Sequence, residues 1–439
     1  SDSILMAVEV YLSNEKEVEV KYNDFRGIAF KSYENAAIRI YGSAAAGTNT
    51  NIGSNTFTNL SIQAGSLHLI LLDYFNSSSS TLTIDSNKTV GTFAFTGNYF
   101  GMISGGGGLR SLIKHNEFSN AIITTGFEID SYTLGIYGGQ SGTNHIHSNR
   151  VFNIIHTGTY LYSMPISIGG GVIGDTSTVA GNFISNISSA GYICAGIEII
   201  NYNNAGIEGR VIKNTITSLS HTESANPIDS SAIYGIGATL GVIEGRIRIE
   251  DNEISALSSS IDSSIAAGIF VGSYVFTNNY AITINANKMY NLSVSKPGAR
   301  VAGIWSYLYE PLTSGFFDRR RISMYNNIIG DLRAPTSGSL SRPSIAGILM
   351  ENNTVKDTID IFHNTIDLRA SSSHTAFSSS ALYTDTLARI SSYGNIFNNI
   401  SVPGATGKTV AYWRRGISMT NYFGDYNSLY AGTPATNRL

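Results

Sequence analysis

Cysteine is almost absent: Cys194 is the single one in 439 residues. An intrachain disulfide framework and a cysteine-based zinc site are therefore excluded. Cys194 sits in a strand-like run, Tyr192 to Ile197, and reads as a small buried hydrophobe. Charge is scarce too, 13% of residues, where an average domain carries roughly 25%. The net charge of −3 gives no strong field of either sign, and the one dense basic run is Arg319-Arg320-Arg321. No basic stripe suits nucleic acid. No apolar stretch reaches the length of a membrane span. The opening Ser1-Asp2-Ser3 is not a signal peptide. Asn-Gly and Asp-Gly dipeptides, the usual two-residue hairpin turns, do not occur, which argues against a hairpin meander. Proline is limited to eight residues, mostly in loop-like stretches, as strands require.

What fills the chain is a repeat. Hydrophobic residues make up 42%, and they alternate in short runs around a recurring Asn. The landmark residues are Asn23, Asn55, Asn87, Asn116, Asn149, Asn182, Asn214, Asn252, Asn287, Asn327, Asn364, Asn395 and Asn427. They are spaced by 29 to 40 residues. Asn98 competes with Asn87 for one register. A second phrase lies between landmarks, a small residue and Gly before an apolar run: Ala195-Gly196-Ile197, Ala267-Gly268-Ile269, Ala302-Gly303-Ile304, Ala346-Gly347-Ile348. Ser380-Ala381-Leu382 and Val410-Ala411-Tyr412 occupy the same slot later.

Each unit thus carries three short strands: one after the Asn, one after the Gly, and one leading into the next Asn. Period-two alternation puts one face inward. Stacking successive units in parallel register buries those faces as one core. Parallel crossovers are overwhelmingly right-handed. The expected fold is all-β, a right-handed single-stranded parallel β-helix of about thirteen coils, one domain over 1–439 and a segment of a longer protein. Asn suits a coil corner because it tolerates the left-handed region, and stacked corner amides can form a hydrogen-bonded ladder. The alternative for each Asn is a solvated turn residue. Ser/Thr-rich excess, as at Thr217 to Pro227 and Ala370 to Ser380, is expected to protrude as loops, with a further insertion at Pro311 to Asp318.

The Asn-x-Ile/Phe-x-Asn-Ile phrases resemble the right-handed parallel β-helix (PbH1-type) repeats of the pectin-lyase-like superfamily. Residues 320–439 are also similar to repeat regions of large exported proteins of Bacteroidota-type bacteria. The phrases that carry this run from Asn326-Asn327 through Ala346-Gly347-Ile348, His363-Asn364 and Asn395 to Tyr426-Asn427. The resemblance implies a secreted or cell-surface, adhesin-like protein, with type IX secretion as its route.

The superfamily's enzymes suggest a polysaccharide hydrolase or lyase, but their motifs are missing. Asn-Thr-Asp, Asp-Asp and Gly-His-Gly do not occur, and Arg246-Ile247-Arg248 reads as plain strand. Asp357 and Asp360 have no third carboxylate beside them in sequence. His145 and His147 leave one face of a strand, a spacing open to metal or to an exposed polar pair. The run Gly105 to Gly108 lacks the Lys-Ser/Thr of a phosphate loop. No metal or cofactor is expected.

Two candidate sites follow from register. If the Gly strands stack, Glu351, Asp385 and Arg415 point outward on adjacent rungs, about 4.8 Å apart. Carboxylates near that separation suit a retaining glycosidase. A surface charge ladder fits the same residues. The second site is an outward aromatic column, Phe270, Trp305, Leu349, Tyr383 and Trp413, widened by Tyr307 and Tyr309. Such rings could stack on sugars, or the loops could fold over them as a satellite core. The expected function is a non-enzymatic structural or adhesive module with a polysaccharide or cell-surface glycan as partner, the alternative a polysaccharide-active enzyme. Neither end carries an obvious cap, so neighbouring domains or further copies are expected there.

Overall fold

A computed structural model describes the chain except residues 1–3, 14, 33, 44, 63–64, 75–79, 97–98, 105–108, 125–130, 139–141, 158–160, 170–175, 202–206, 223–230, 241–243, 274–278, 309–318, 352–356, 386–387, 416–420, 434–436 and 439. It is an all-β parallel solenoid with three sheets. Sheet A holds the strands of the Gly phrase, sheet B those leading into each landmark Asn, and sheet C those that follow it. Two compact units are distinguished, Ser1–Thr215 and Ile216–Leu439.

Among the described residues, sheet A of the first unit has seven strands, from Ile4–Leu12 to Ile193–Asn201, and sheet B seven, from Glu17–Lys21 to Ile207–Ile212. In the second, the described residues give sheet A six, from Ala232–Leu240 to Thr409–Arg414, and sheet B six, from Glu244–Glu250 to Tyr422–Asp425. The core of each unit is built from register. Ile38, Ile70, Ile103, Ile136, Ile166 and Ile197 pair coil to coil in the first unit. Ile236, Ile269, Ile304, Ile348 and Leu382 do so in the second. All are fully buried. One apolar column per inward position is what a one-dimensional repeat yields.

The glycines of the Gly phrase have a packing reason. A Cβ on Gly303 would come within 2.4 Å of Ile329 Cγ2, and one on Gly347 within 2.4 Å of Ile366 Cγ2. Sheet A approaches sheet C there too closely for any side chain. The coil-to-coil pairing skips these residues, which marks a kink in each strand.

The Asn columns form as ladders, with one correction. In the first unit each Nδ2 donates to the next Oδ1, from Asn23 to Asn55 at 2.9 Å and onward to Asn182 and Asn214 at 2.9 Å. In the second unit Asn252, Asn287, Asn327, Asn364, Asn395 and Asn427 do the same at 2.8 to 3.0 Å. Asn87 belongs to the ladder, which settles that register; Asn98 lies outside the described residues. The ladder Asn is not the residue in the left-handed region. That is its predecessor in every coil: Tyr22, Ser54, Ser86, His115, Ser148, Gly181, Lys213, Asp251, Ala286, Asn326, His363, Gly394 and Tyr426. The corner strain therefore falls on a residue of almost any type. Each costs roughly 1 kcal/mol when not Gly.

The expected loops differ in kind. In the Thr217 to Pro227 stretch, Thr217 to His221 belong to the strand Thr215–His221 rather than to a loop, because Leu219 and His221 are buried; residues 223–227 and Pro311 to Asp318 lie outside the described residues. The connection from Arg369 to Ser378 is laid against its neighbours rather than standing free. Ser373 N donates to Pro335 O at 2.8 Å, Thr406 N to Thr375 O at 2.8 Å, and Phe377 is fully buried.

Candidate functional site

The outer face of sheet A in the second unit carries both candidate sites. Backbone pairing sets Phe270 against Trp305, Trp305 against Leu349, Leu349 against Tyr383, and Tyr383 against Trp413. The predicted column is thus in register on consecutive rungs. Its burial is uneven. Phe270, Leu349 and Tyr383 are buried, while Trp305, Tyr307 and Trp413 are half-buried. Tyr309 lies outside the described residues.

The rings touch in two groups. Tyr234, Phe270, Trp305 and Tyr307 follow one another at centroid distances of 5.3, 4.6 and 6.0 Å. Tyr383 meets Trp413 edge-on at 5.7 Å. Lys408 lies over the Trp413 ring, 5.7 Å from its centre. Gly272 keeps the first group intact, because a Cβ there would fall 2.5 Å from Phe270 Cζ. Sequence reading missed Tyr234, which enters the row from the rung before Phe270; its side chain pairs diagonally, and pattern matching sees only the direct column.

Glu351 sits at the edge of this row and is 1% exposed. Its Oε1 accepts from Arg300 at 2.7 Å and Arg342 at 2.9 Å, and its Oε2 from Trp305 Nε1 at 3.1 Å. Arg300 and Arg342 come from different segments, so the carboxylate ties the strand start at Arg300, the approach to the next strand and the tryptophan together. Asp385 and Arg415 do occupy the next two rungs, since Asp385 N donates to Met350 O and Arg415 N to Thr384 O. Glu351, however, spends both oxygens on positioning bonds. Tyr383, between them, has its hydroxyl pushed up from the usual phenol range, by burial first and the nearby Asp385 charge second.

Two other sequence signals turn out to be partners. The basic run faces the Asp pair across one rung: Arg320 is in register with Asp357 and 3.8 Å from it, and Arg321 Nε reaches Asp360 at 2.6 Å. Tyr280 Oη donates to Asp357 at 3.2 Å, and burial, then that charge, pushes its hydroxyl well up. Arg246 and Arg248 alternate with buried Ile247 and Ile249, as plain strand does. In the first unit His145 is exposed and His147 half-buried, with the His147 ring 6.2 Å from that of His115. Among the described residues no group of three His, Cys, Asp or Glu side chains could hold a metal ion. No described helix is long and apolar enough to cross a membrane. Gly105 to Gly108 lie outside the described residues.

No protein-family model matches the chain. No curated protein matches it either. Among solved structures it is similar to a PL6 family alginate lyase, AlyGC, with 9% identity over 96% of this chain and 89% of that one. The TM-score is 0.14, too low to carry an argument about fold or activity.

Proposed function

We propose that this chain is a glycan-binding module of an exported, adhesin-like surface protein, and that the outer face of sheet A in the second unit is its binding face. The observation that carries the reading is the aligned aromatic row, with Trp305, Tyr307 and Trp413 half-buried on a solvent-side sheet face. Trp305 and Tyr307 on one rung and Trp413 three rungs on, about 14 Å away at ~4.8 Å per rung, suit the apolar faces of separated sugar rings of one chain, with hydroxyls left wet. Glu351 fixes the Trp305 indole through its Nε1, so that the platform is preorganised before a ligand arrives. The resemblance of residues 320–439 to exported repeat proteins supports a surface location and implies the type IX route, and the polar but weakly charged composition supports the surface location.

The alternative is a polysaccharide-active enzyme using Glu351, Asp385 and Arg415. It is the weaker reading, because a general acid or nucleophile needs a carboxyl group open to substrate, and Glu351 is enclosed by two guanidiniums and an indole.

Trp305→Ala and Trp413→Ala test the proposal on a glycan array. Each is expected to weaken binding tenfold or more, and Glu351→Gln to weaken it less. Unchanged binding in both tryptophan variants would retire the proposal. Release of reducing ends or unsaturated products, abolished by Asp385→Asn, would replace it with the enzyme reading.

A further inference from the structure

A cleft of about 470 Å³ opens on the outer side of sheet C in the second unit. It lies on a different sheet from the aromatic row and owes nothing to it. Its origin is a change in the repeat. Most coils place a residue in the left-handed region midway along the sheet C segment: Gly27, Asn59, Gly91, Asn120, Asn153 and Asn186 in the first unit, and Ser218, Ala256, Asn291 and Asp331 in the second. That residue bends the strand and sets the second inward apolar residue five positions after the ladder Asn, as in Asn287 to Leu292 and Asn327 to Leu332. The next coil drops it. Asn364 reaches Leu368 in four positions, and no positive φ occurs between them. Gly330 still pairs with Asp367. A bent strand therefore abuts a straight one, and the surface gapes where they part.

The dislocation places the same short phrase on both walls. Arg333 donates to Asp331 from Nε at 2.7 Å and from Nη2 at 2.8 Å. Arg369 Nε donates to Asp367 at 2.9 Å, and Asn398 Nδ2 donates to the other Asp367 oxygen at 2.6 Å. Both pairs remain substantially exposed, with 59% and 44% of the Arg333 and Asp331 side chains in contact with solvent and 66% and 41% for Arg369 and Asp367. Each carboxylate keeps lone pairs and each guanidinium keeps N–H groups beyond the intrastrand pair. Pro335 supplies an apolar wall, held in place by Ser373 N on its carbonyl. Two carboxylates and two guanidiniums balance, so a charged ligand of either sign meets as much repulsion as attraction. Carboxylates accept from vicinal hydroxyls, guanidiniums donate to hydroxyl and ring oxygens, and an apolar wall takes the C–H face of a ring. The volume suits one or two sugar rings.

From this geometry we infer that the sheet C cleft at Asp331, Arg333, Asp367 and Arg369 is a second binding site, for an uncharged saccharide unit presenting vicinal hydroxyls. The experiment uses the full chain and isothermal titration with mannohexaose, cellohexaose, laminarihexaose and, as the charged probe, trigalacturonate. The expected result is that at least one neutral hexaose binds. Its affinity should fall tenfold or more in Asp331→Asn/Asp367→Asn, and also in Ser371→Trp, which fills the cleft from an exposed position. Titration of Trp305→Ala/Trp413→Ala should lose the sheet A binding step and keep one step, and that remaining step should be the one the cleft variants remove. Asn tolerates the left-handed φ at 331, so the double variant should keep the wild-type melting temperature; should it not, Ser371→Trp alone decides. The inference is overturned if no neutral hexaose binds, if only trigalacturonate binds, or if the cleft variants bind as the wild type does. Loss of binding in the tryptophan variants alone supports the sheet A reading and overturns this one.

Discussion

Replacing Asn149 by Ala should cost the first unit roughly 2–6 kcal/mol, and the figure follows from counting what is left unpaired. The Asn149 side chain donates to Asn182 Oδ1 at 3.0 Å, to Ile113 O at 2.9 Å and to His147 O at 3.1 Å. It accepts from Asn116 N at 2.9 Å and from Asn116 Nδ2 at 3.0 Å. Truncation removes all five. The Asn116 amide still reaches Ile84 O and Lys114 O, and Asn182 Oδ1 still receives Asn149 N. Two buried groups lose their side-chain partner outright, Asn116 N–H and Ile113 C=O, at about 1–3 kcal/mol each. Asn149→Asp should be worse, since it offers no donor to Ile113 O and sets a carboxylate beside Asn182 Oδ1. The control is Asn153→Gly. Asn153 belongs to an outer ladder with Asn120 and Asn186, but those bonds are exposed and its φ is +57°. Glycine accepts that φ at no steric cost, so the change should stay within about 0.5 kcal/mol. Denaturant midpoints measure both, and hydrogen exchange at the Asn116 amide localises the first, because a stack can open coil by coil. A loss under about 1 kcal/mol in Asn149→Ala, with the Asn116 amide still protected, would refute the claim that the inner ladder is structural.

Ala286→Gly should raise the denaturant midpoint by about 0.5–1 kcal/mol equivalent, because Ala286 stands at φ +55° one residue before the ladder. Burial holds both His68 and His156 down to about 4. A depressed histidine is neutral when folded and takes up a proton first when unfolded, so its contribution is full above pH 6.5 and falls as pH drops toward 4. Each should therefore forfeit up to roughly 3 kcal/mol over that window; the unfolding midpoint of His156→Gln, followed from pH 7 to 4, should fall less steeply than that of the wild type. The Cys194 thiol, buried and pushed up to about 12, should resist maleimide in the native protein and react only on unfolding, as mass spectrometry would show.

The fold was legible because its two commonest phrases each have a single physical use. An Asn whose amide can bond to its copy one coil on must recur once per coil, and a Gly where two sheets nearly touch must recur with it. Those spacings located the strands, the coil register and the alignment of Phe270, Trp305, Leu349, Tyr383 and Trp413. What could not be read was anything decided between coils by side-chain reach. Asp357 and Asp360 showed no third carboxylate beside them in sequence, and Arg319-Arg320-Arg321 showed only as the one dense basic run. They are partners, because the pairing falls 37 and 39 residues apart in sequence, beyond any local motif. Glu351 was read as an outward carboxylate, which it is, but Arg300 and Arg342 arrive from segments whose paths no repeat specifies.

The same distinction explains where sites arise on such a chain. A perfect repeat presents identical outward residues on every rung and so offers a surface with no preferred position. Chemistry becomes local only where a coil departs from its neighbours. One departure is a substitution at constant register: the outward position of Ile304 plus one carries Trp where neighbouring rungs carry Phe270 and Leu349. The other is a change of register itself, the residue missing between Asn364 and Leu368. The first leaves the backbone unaltered and varies only what projects from it; the second deforms the backbone and creates concavity. A solenoid that needs both a platform and a cleft can hold them on separate sheets of the same few coils, because the inward columns, Ile304 to Ile348 to Leu382 and Ile329 to Ile366 to Phe397, stay continuous through both.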